Sequence, residues 1–179
     1  MKNEFGWGVI YKDEDYAGIF RRLVILLLDF SVIVSLMYGG ILFDEWNFDN
    51  SATYDNYYFY YLMIVVAFLY LTVIKTSKFG TLGQLVTKTR VETIYGSKPN
   101  FFRMTLRLLF WFFGPLNLIT DILFMGMIKE KRSVRDCICN TIVVRKKAVP
   151  IEKDKPIHVA RVFALGMNLM YESCNDGNA

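Results

Sequence analysis

The stretch RRLVILLLDF, residues Arg21–Phe30, places a carboxylate inside a run of apolar side chains. Six aliphatic residues separate Arg22 from Asp29, and mostly apolar residues continue beyond the acid to Phe43. An aspartate near the middle of a membrane helix costs roughly 2.5–3.5 kcal/mol on an insertion scale. The stretch therefore predicts a membrane helix whose buried acid meets a positive charge.

Two further apolar segments follow the first. Segment 23–43 carries only Asp29 as a charge, segment 57–74 carries none, and segment 108–128 carries only Asp121. A helix rises ~1.5 Å per residue, so each segment could cross a hydrocarbon core of ~30 Å. The chain, 54% hydrophobic, is therefore predicted to be an all-α membrane protein with two transmembrane helices and a third hydrophobic segment that is kinked or re-entrant.

Lysine and arginine are unevenly distributed between these segments. Residues 44–56 hold four acids and no base, whereas 75–107 and 129–149 together hold 14 bases and 3 acids. The positive-inside rule then predicts a cytoplasmic amino terminus, an external 44–56 loop and a cytoplasmic 75–107 loop. The mixed polar residues 1–22 do not resemble a cleavable signal peptide, so we expect the first segment to remain as an anchor.

Basic residues flank the third apolar segment on both sides, which contradicts the rule for a single crossing. Gly114 and Pro115 can break a helix, because proline lacks a backbone donor. A re-entrant hairpin would return the chain to the cytoplasm if protein or a wet cavity shields its backbone. An ordinary kinked span that violates the charge rule is the alternative, and both interpretations stay open.

The cytoplasmic stretches predict small structural elements. Residues Thr81–Arg90 suit a short amphipathic helix with Leu82, Leu85 and Val86 towards lipid. The sequence RVETIYGSKPNF, 90–101, has the alternation and turn residues of a β-hairpin, and Thr141–Val144 suits a partner strand. We expect a membrane domain over 1–149 and a linker with a cytoplasmic tail over 150–179.

The intramembrane acids are candidate ion sites. Asp29 lies seven residues, about 10 Å, beyond Arg22 on one helix face, and Asn117 precedes Asp121 by about one turn. In one interpretation the acids bind protons or a monovalent cation (Na⁺, K⁺ or Li⁺), with arginine as competitor. In the other, an aspartate forms a fixed pair with arginine or accepts hydrogen bonds from broken backbone.

Enzyme chemistry is not predicted. His158 is the one histidine and lies in the expected tail, and no nucleophile–base or metal-ligand spacing is present. Cys137 and Cys139 are interpreted as free thiols rather than metal ligands, so no metal or cofactor is expected. Juxtamembrane placement accounts for the basic residues without nucleic acid.

Four sequence blocks, YAGIFRRLVILLLDF (16–30), TLGQLVTKTRV (81–91), FRMTLR (102–107) and KRSVRDCICNTIVV (131–144), resemble the RDD family of small bacterial membrane proteins. The family is named for an arginine and two aspartates, which the resemblance assigns to Arg22, Asp29 and Asp136. Asp121 is outside that pattern. The chain departs from it at Gln84, where lysine is common, and at Arg135, where histidine is frequent.

The resemblance implies a protein of the bacterial cytoplasmic membrane proposed to take part in transport, some relatives being linked to sodium/proton exchange, and it implies no enzyme activity. Arg22 and Asp136 are expected to form a salt bridge that ties span three to span one. The alternative for Asp136 is a turn carboxylate that accepts hydrogen bonds from nearby backbone amides.

Two functions are compatible with these features. The first is a small-cation/proton exchanger that uses Asp29 with Arg22, supported by Asn117 and Asp121, in a homo-oligomer. The second is a non-catalytic scaffold or accessory subunit whose basic cytoplasmic face binds anionic membrane lipid or a partner protein. The residues expected on that face are Lys88, Arg90, Lys98, Arg103 and Arg107.

Overall fold

The computed structural model of the chain describes residues 7–47, 57–77, 79–110, 115–164 and 166–174. Its α-helices are α1 Ile19–Asn47, α2 Tyr57–Leu69, α3 Leu82–Thr87, α4 Phe101–Leu109, α5 Pro115–Met127 and α6 Val134–Ile138. A π-helical turn, Tyr70–Ile74, extends α2. The strands are β1 Trp7–Ile10, β2 Thr89–Thr93, β3 Thr141–Arg145, β4 Glu152–Pro156, β5 His158–Ala164 and β6 Met167–Ser173.

Helix α1 contains the stretch that opens the sequence argument. Among the described residues it is the one helix long and apolar enough to cross a membrane, over Ile19–Leu42. Only 11% of its most apolar window is buried inside the protein, so most of this surface is available to lipid. The apolar helices Tyr60–Ile74 and Asn117–Met127 are shorter, so within the described residues only α1 has the length of a predicted full span.

The third apolar segment is divided between two helices. Helix α4 ends at Leu109 and α5 begins at Pro115, a position where the missing N–H of proline is not needed. The predicted break thus falls at a helix boundary, with Gly114 outside the described residues. Most of the acidic loop 44–56 also lies outside them.

The all-α prediction is confirmed only in part, because within the described residues the helices are accompanied by three two-stranded antiparallel sheets: β1–β4, β2–β3 and β5–β6. The predicted hairpin within residues 90–101 is wrong as well. Strand β2 pairs with β3, which lies some fifty residues later, in register from Thr89↔Arg145 to Thr93↔Thr141. Residues 141–144 therefore form the predicted partner strand, and the short amphipathic helix is present as α3.

The predicted linker and tail, 150–179, contains ordered strands. Strand β4 returns to pair with β1 at the amino-terminal end, and β5 pairs with β6 from His158↔Ser173 to Ala164↔Met167. Exposure alternates along this strand, because Val159, Arg161 and Phe163 are exposed whereas the residues between them are half-buried, which is the period of two that a strand requires. Gly166 (φ 75°) supplies the positive backbone angle of the connecting turn.

Small apolar clusters hold these elements together. One joins Tyr11 and Tyr16 to Ile142 and Val144 of β3. Another packs Phe124 and Ile128 of the α5 region against Cys137 of α6 and the inner face of the β5–β6 hairpin. The sheets and α6 therefore form a compact body at the amino-terminal end of α1, where Arg22 is located.

Candidate functional site

Asp136 is the centre of a buried ion cluster. It lies in the first turn of α6, where its side chain and that of the N-cap Ser133 cap each other's backbone amides. Arg22 contacts Oδ2 through Nη1, and Arg107 contacts Oδ1 through Nη2 at 2.6 Å. The hydroxyl of Thr141 donates to Oδ1 at 3.5 Å. One fully buried carboxylate thus joins α1, α4, α6 and β3.

Arg22 forms two hydrogen bonds to backbone carbonyls in addition to its ion pair with Asp136. Its Nε donates to the carbonyl of Ala17 at 3.1 Å, and its Nη2 donates to the carbonyl of Lys131 at 2.8 Å. The predicted salt bridge between Arg22 and Asp136 is therefore present, and the capping role offered as its alternative is present as well. These bonds tie the start of α1 to the loop before α6.

The charges around Asp136 determine its protonation. Burial raises the pKa of a carboxyl group, but here the guanidinium groups of Arg107, Arg22 and Arg135 outweigh burial and hold the pKa of Asp136 well below its usual range. Asp136 is therefore a permanent anion at neutral pH. A group of this kind fixes structure and does not exchange a proton during a working cycle.

Asp29 is saturated with donors. Oδ1 accepts from the amide of Gly83 at 3.0 Å and from the hydroxyl of Tyr70 at 3.4 Å. Oδ2 accepts from the hydroxyl of Thr81 at 3.0 Å and from the Lys75 ammonium at 3.3 Å. This carboxylate attaches the first turn of α3 and the end of the π-helical turn to the middle of α1.

The positive partner expected for Asp29 is Lys75 rather than Arg22. Arg22 is engaged by Asp136, while Lys75 directly follows the second apolar segment and reaches Asp29 from there. The sequence contains a feature that could have predicted this contact, because Lys75 is the first charged residue after the uncharged segment 57–74. Asp29 and Asp121 have different partners, Lys75 and Arg135.

Gly83 makes the approach of α3 to α1 possible. A Cβ at this position would lie 2.6 Å from the carbonyl oxygen of Ile25 and 2.8 Å from Oδ1 of Asp29. The first of these is backbone of α1, which cannot rotate away. The glycine in the TLGQ block therefore permits the Gly83 amide to bond Asp29.

Asp121 lines a small cavity between α1 and α5. Arg135 contacts its Oδ2 at 3.1 Å, whereas Oδ1 is buried without a hydrogen-bond partner. The cavity holds about 30 Å³, and Arg22, Asn117 and Arg135 line it together with Asp121. Three predicted site residues therefore meet here, and Arg135 is a member that the sequence argument did not assign to the site.

Arg132 is another residue whose role the sequence argument missed. It is fully buried and contacts Glu130 at 3.2 Å. It donates to the carbonyls of Glu172 at 2.5 Å and Asp136 at 3.2 Å. This arginine attaches strand β6 to α6, so the carboxyl-terminal hairpin is part of the same body as the ion cluster.

The basic residues expected to face lipid or a partner behave differently from one another. Lys88 and Lys98 are exposed. Arg103 is half-buried, and its guanidinium carbon lies 5.4 Å from the ring centre of Tyr95, a cation–π distance. These three positions remain compatible with an exposed basic surface.

Arg90 and Arg107 depart from the expected basic face. Arg90 pairs with Glu92 at 2.8 Å and donates to the carbonyls of Lys146 and Ala148. Arg107 is buried against Asp136, so its assignment to a lipid- or partner-facing surface is wrong. A guanidinium that is less than 10% exposed is not accessible to lipid or to a partner protein.

The three cysteines lie in the interior of the structure. Cys137, Cys139 and Cys174 are buried free thiols, and burial raises the pKa of Cys137 to about 12, which keeps it protonated. No group of three or more metal-ligating His, Cys, Asp or Glu side chains occurs within the residues that the structure describes.

Comparison with known proteins adds one result. The model of the RDD family matches residues 16–140, more than half of the 179 residues. No curated protein and no solved structure matches the chain. The matched region contains Arg22, Asp29 and Asp136, whose contacts bring the first block of the pattern against the second and the third. The chain belongs to the RDD family of membrane-associated proteins.

Proposed function

We propose that this chain is a multi-pass protein of the bacterial cytoplasmic membrane that exchanges a monovalent cation for protons, with Asp121 as the exchanging carboxylate. The observation that carries the proposal is the cavity between α1 and α5. There Asp121 is over nine-tenths buried, and its Oδ1 has no hydrogen-bond partner. A buried, half-satisfied carboxylate is costly to maintain, so its occurrence favours use.

The cavity has the size and ligands for a small occupant. About 30 Å³ is room for one water molecule or one dehydrated small cation. Asn117 lines the same space and carries an amide oxygen, which hard cations accept as a ligand. Asp121 would then bind either a proton or the ion at Oδ1.

Arg135 competes with a proton or a cation for the carboxylate of Asp121. It holds Oδ2 of Asp121 at 3.1 Å, and a bound cation beside two arginines would be repelled unless Arg135 withdrew. Proton or cation binding at Asp121 is therefore proposed to alternate with the Arg135 contact. Asp29 and Asp136 have full sets of donors and are assigned positioning roles in this scheme.

A single copy offers little room for an ion pathway, because the one long apolar helix and two shorter ones in the described part of the chain are too few to surround a channel. A homo-oligomer, in which α1 and α5 of neighbouring copies meet, would supply it. The exposed apolar surfaces of α1 and α5, including Leu27, Phe30 and Ile119, are available for such contacts as well as for lipid.

The test is cation-driven proton movement in proteoliposomes, measured with an internal pH dye after Na⁺, K⁺ or Li⁺ pulses. We expect Asp121→Asn to abolish the response in protein shown to be folded and inserted, although the loss of the Arg135 ion pair should lower its unfolding temperature. Asp13→Asn is the matched control, because Asp13 is exposed and does not line the cavity. A wild-type response that survives in Asp121→Asn would refute the assignment of Asp121.

A non-catalytic membrane module is the second candidate, and α3 favours it. Leu82, Leu85 and Val86 are 45%, 47% and 60% exposed, and Lys88 follows them, which is the pattern of a helix that rests on an anionic surface. Flat traces from folded, inserted wild-type protein would eliminate exchange and leave this function as the better account.

A further inference from the structure

A second, larger cavity lies at the start of α1, away from Asp121. It holds about 350 Å³ and is open to the exterior. Arg21, Lys131 and Arg145 line it together with one acid, Glu14. Three cationic side chains against one carboxylate give the cavity a surplus of positive charge.

The cations of this cavity are available to a ligand. Nε of Arg145 is buried without a hydrogen-bond partner, although buried donors are rarely left unsatisfied. Arg21 is half-buried and forms no ion pair with another described residue. Lys131 donates to the carbonyl of Asp13 at 2.8 Å, which fixes its ammonium at the edge of the cavity.

The cavity lies beside an exposed apolar face of α1, which indicates the kind of anion that its cations would bind. Phe20 lines it and is 85% exposed, and Val24 and Leu27 continue an exposed apolar surface along α1. Helix α1 is long and apolar enough to cross a membrane from Ile19 onward, and its first turn would then lie at the headgroups of one leaflet. A ligand here meets cations at one end and an apolar helix face at the other.

We propose that this cavity binds the phosphate group of an anionic phospholipid, whose acyl chains lie along Phe20 and the exposed face of α1. Arg21 and Arg145 contact the phosphate oxygens, for which a guanidinium fork is well suited. None of the basic residues that the sequence analysis assigned to lipid takes part. The site is independent of ion exchange at Asp121.

The proposal is tested by native mass spectrometry of the full chain in detergent, titrated with phosphatidylglycerol and with phosphatidylcholine of identical acyl chains. We expect preferential retention of phosphatidylglycerol. Arg21→Gln and Arg145→Gln should each weaken it about fivefold, the value for ~1 kcal/mol per basic residue near an anionic surface. Lys153→Gln, an exposed change at a residue that does not line the cavity, is the control and should have no effect.

Two further arms decide the source of the phosphate. Inorganic phosphate and sn-glycerol 3-phosphate are added as competitors, and displacement of lipid at equal concentration would assign the site to free phosphate and overturn the proposal. Equal retention of both lipids, or unchanged binding in the variants, would also overturn it. If Arg145→Gln fails to fold, as judged by thermal unfolding, Arg21→Gln decides, since that side chain has no described ion pair to lose.

Discussion

Asp136→Asn is expected to destabilise the protein strongly. The change leaves the buried guanidinium groups of Arg22 and Arg107, each under 10% exposed, without the carboxylate that both contact. Removal of one partner from a buried ion pair costs about 3–5 kcal/mol. Because the two pairs share one carboxylate, their contributions are not additive, and we expect about this value rather than twice it.

The effect should depend on pH in a defined direction. The pKa of Asp136 is held below its usual range in the folded protein, so its ionisation stabilises the folded state. That stabilisation is complete above the unfolded pKa of ~3.9 and is lost as the pH falls below it towards the folded value. The difference between wild type and Asp136→Asn should therefore be constant from pH 5 to 8 and should shrink below about pH 4.

Thermal unfolding in detergent, followed by circular dichroism, measures this effect. For a chain of this size 1 kcal/mol shifts Tm by about 2–4 °C, so a decrease of roughly 6–20 °C is expected at pH 7. Asp13→Asn is the matched control and should change Tm by less than about 2 °C. A Tm for Asp136→Asn equal to that of the control would refute the view that Asp136 holds the helices together.

Other changes test separate parts of the structure. Gly83→Ala should destabilise the protein by about 1–3 kcal/mol in the same thermal unfolding assay, because its Cβ would lie 2.6 Å from the carbonyl oxygen of Ile25. Gly126→Ala is the control, since a Cβ there meets nothing within 4 Å, and it should be neutral or slightly stabilising. Maleimide labelling of Cys137 at pH 8 should be slow in the folded protein and fast after denaturation, since the thiol is buried and its pKa is raised to about 12. Fast labelling of Cys137 in the folded protein would contradict the buried position of this side chain.

The ion cluster around Asp136 was predictable from the sequence only in part. The salt bridge between Arg22 and Asp136 was predictable from the family pattern, although the two residues are 114 positions apart. The second arginine, Arg107, was assigned to the surface because it opens an apolar segment, a position where charges usually face water. Only the packing of α4 against the cluster brings it to the same carboxylate.

Strand pairing was the least predictable part of the fold. The sequence YGSKPN after β2 contains turn residues, and a local hairpin was the simplest interpretation. The actual partner, β3, is buried on both faces over Thr141–Val144, whereas residues after the turn enter α4 at Phe101. Local turn chemistry does not identify a distant strand, because the gain from pairing depends on which apolar side chains are covered.

The sequence by itself determined the length of apolar chain that would let α1 cross a membrane, the positions of the three apolar segments and the membership of the family, since these depend on composition and local order. Only the tertiary structure decided which charge each acid meets: Lys75 for Asp29, Arg135 for Asp121, and two arginines for Asp136. The physical reason is that a buried carboxylate is stabilised by whichever donors the packed backbone brings within about 3 Å, and separation along the chain does not fix that distance.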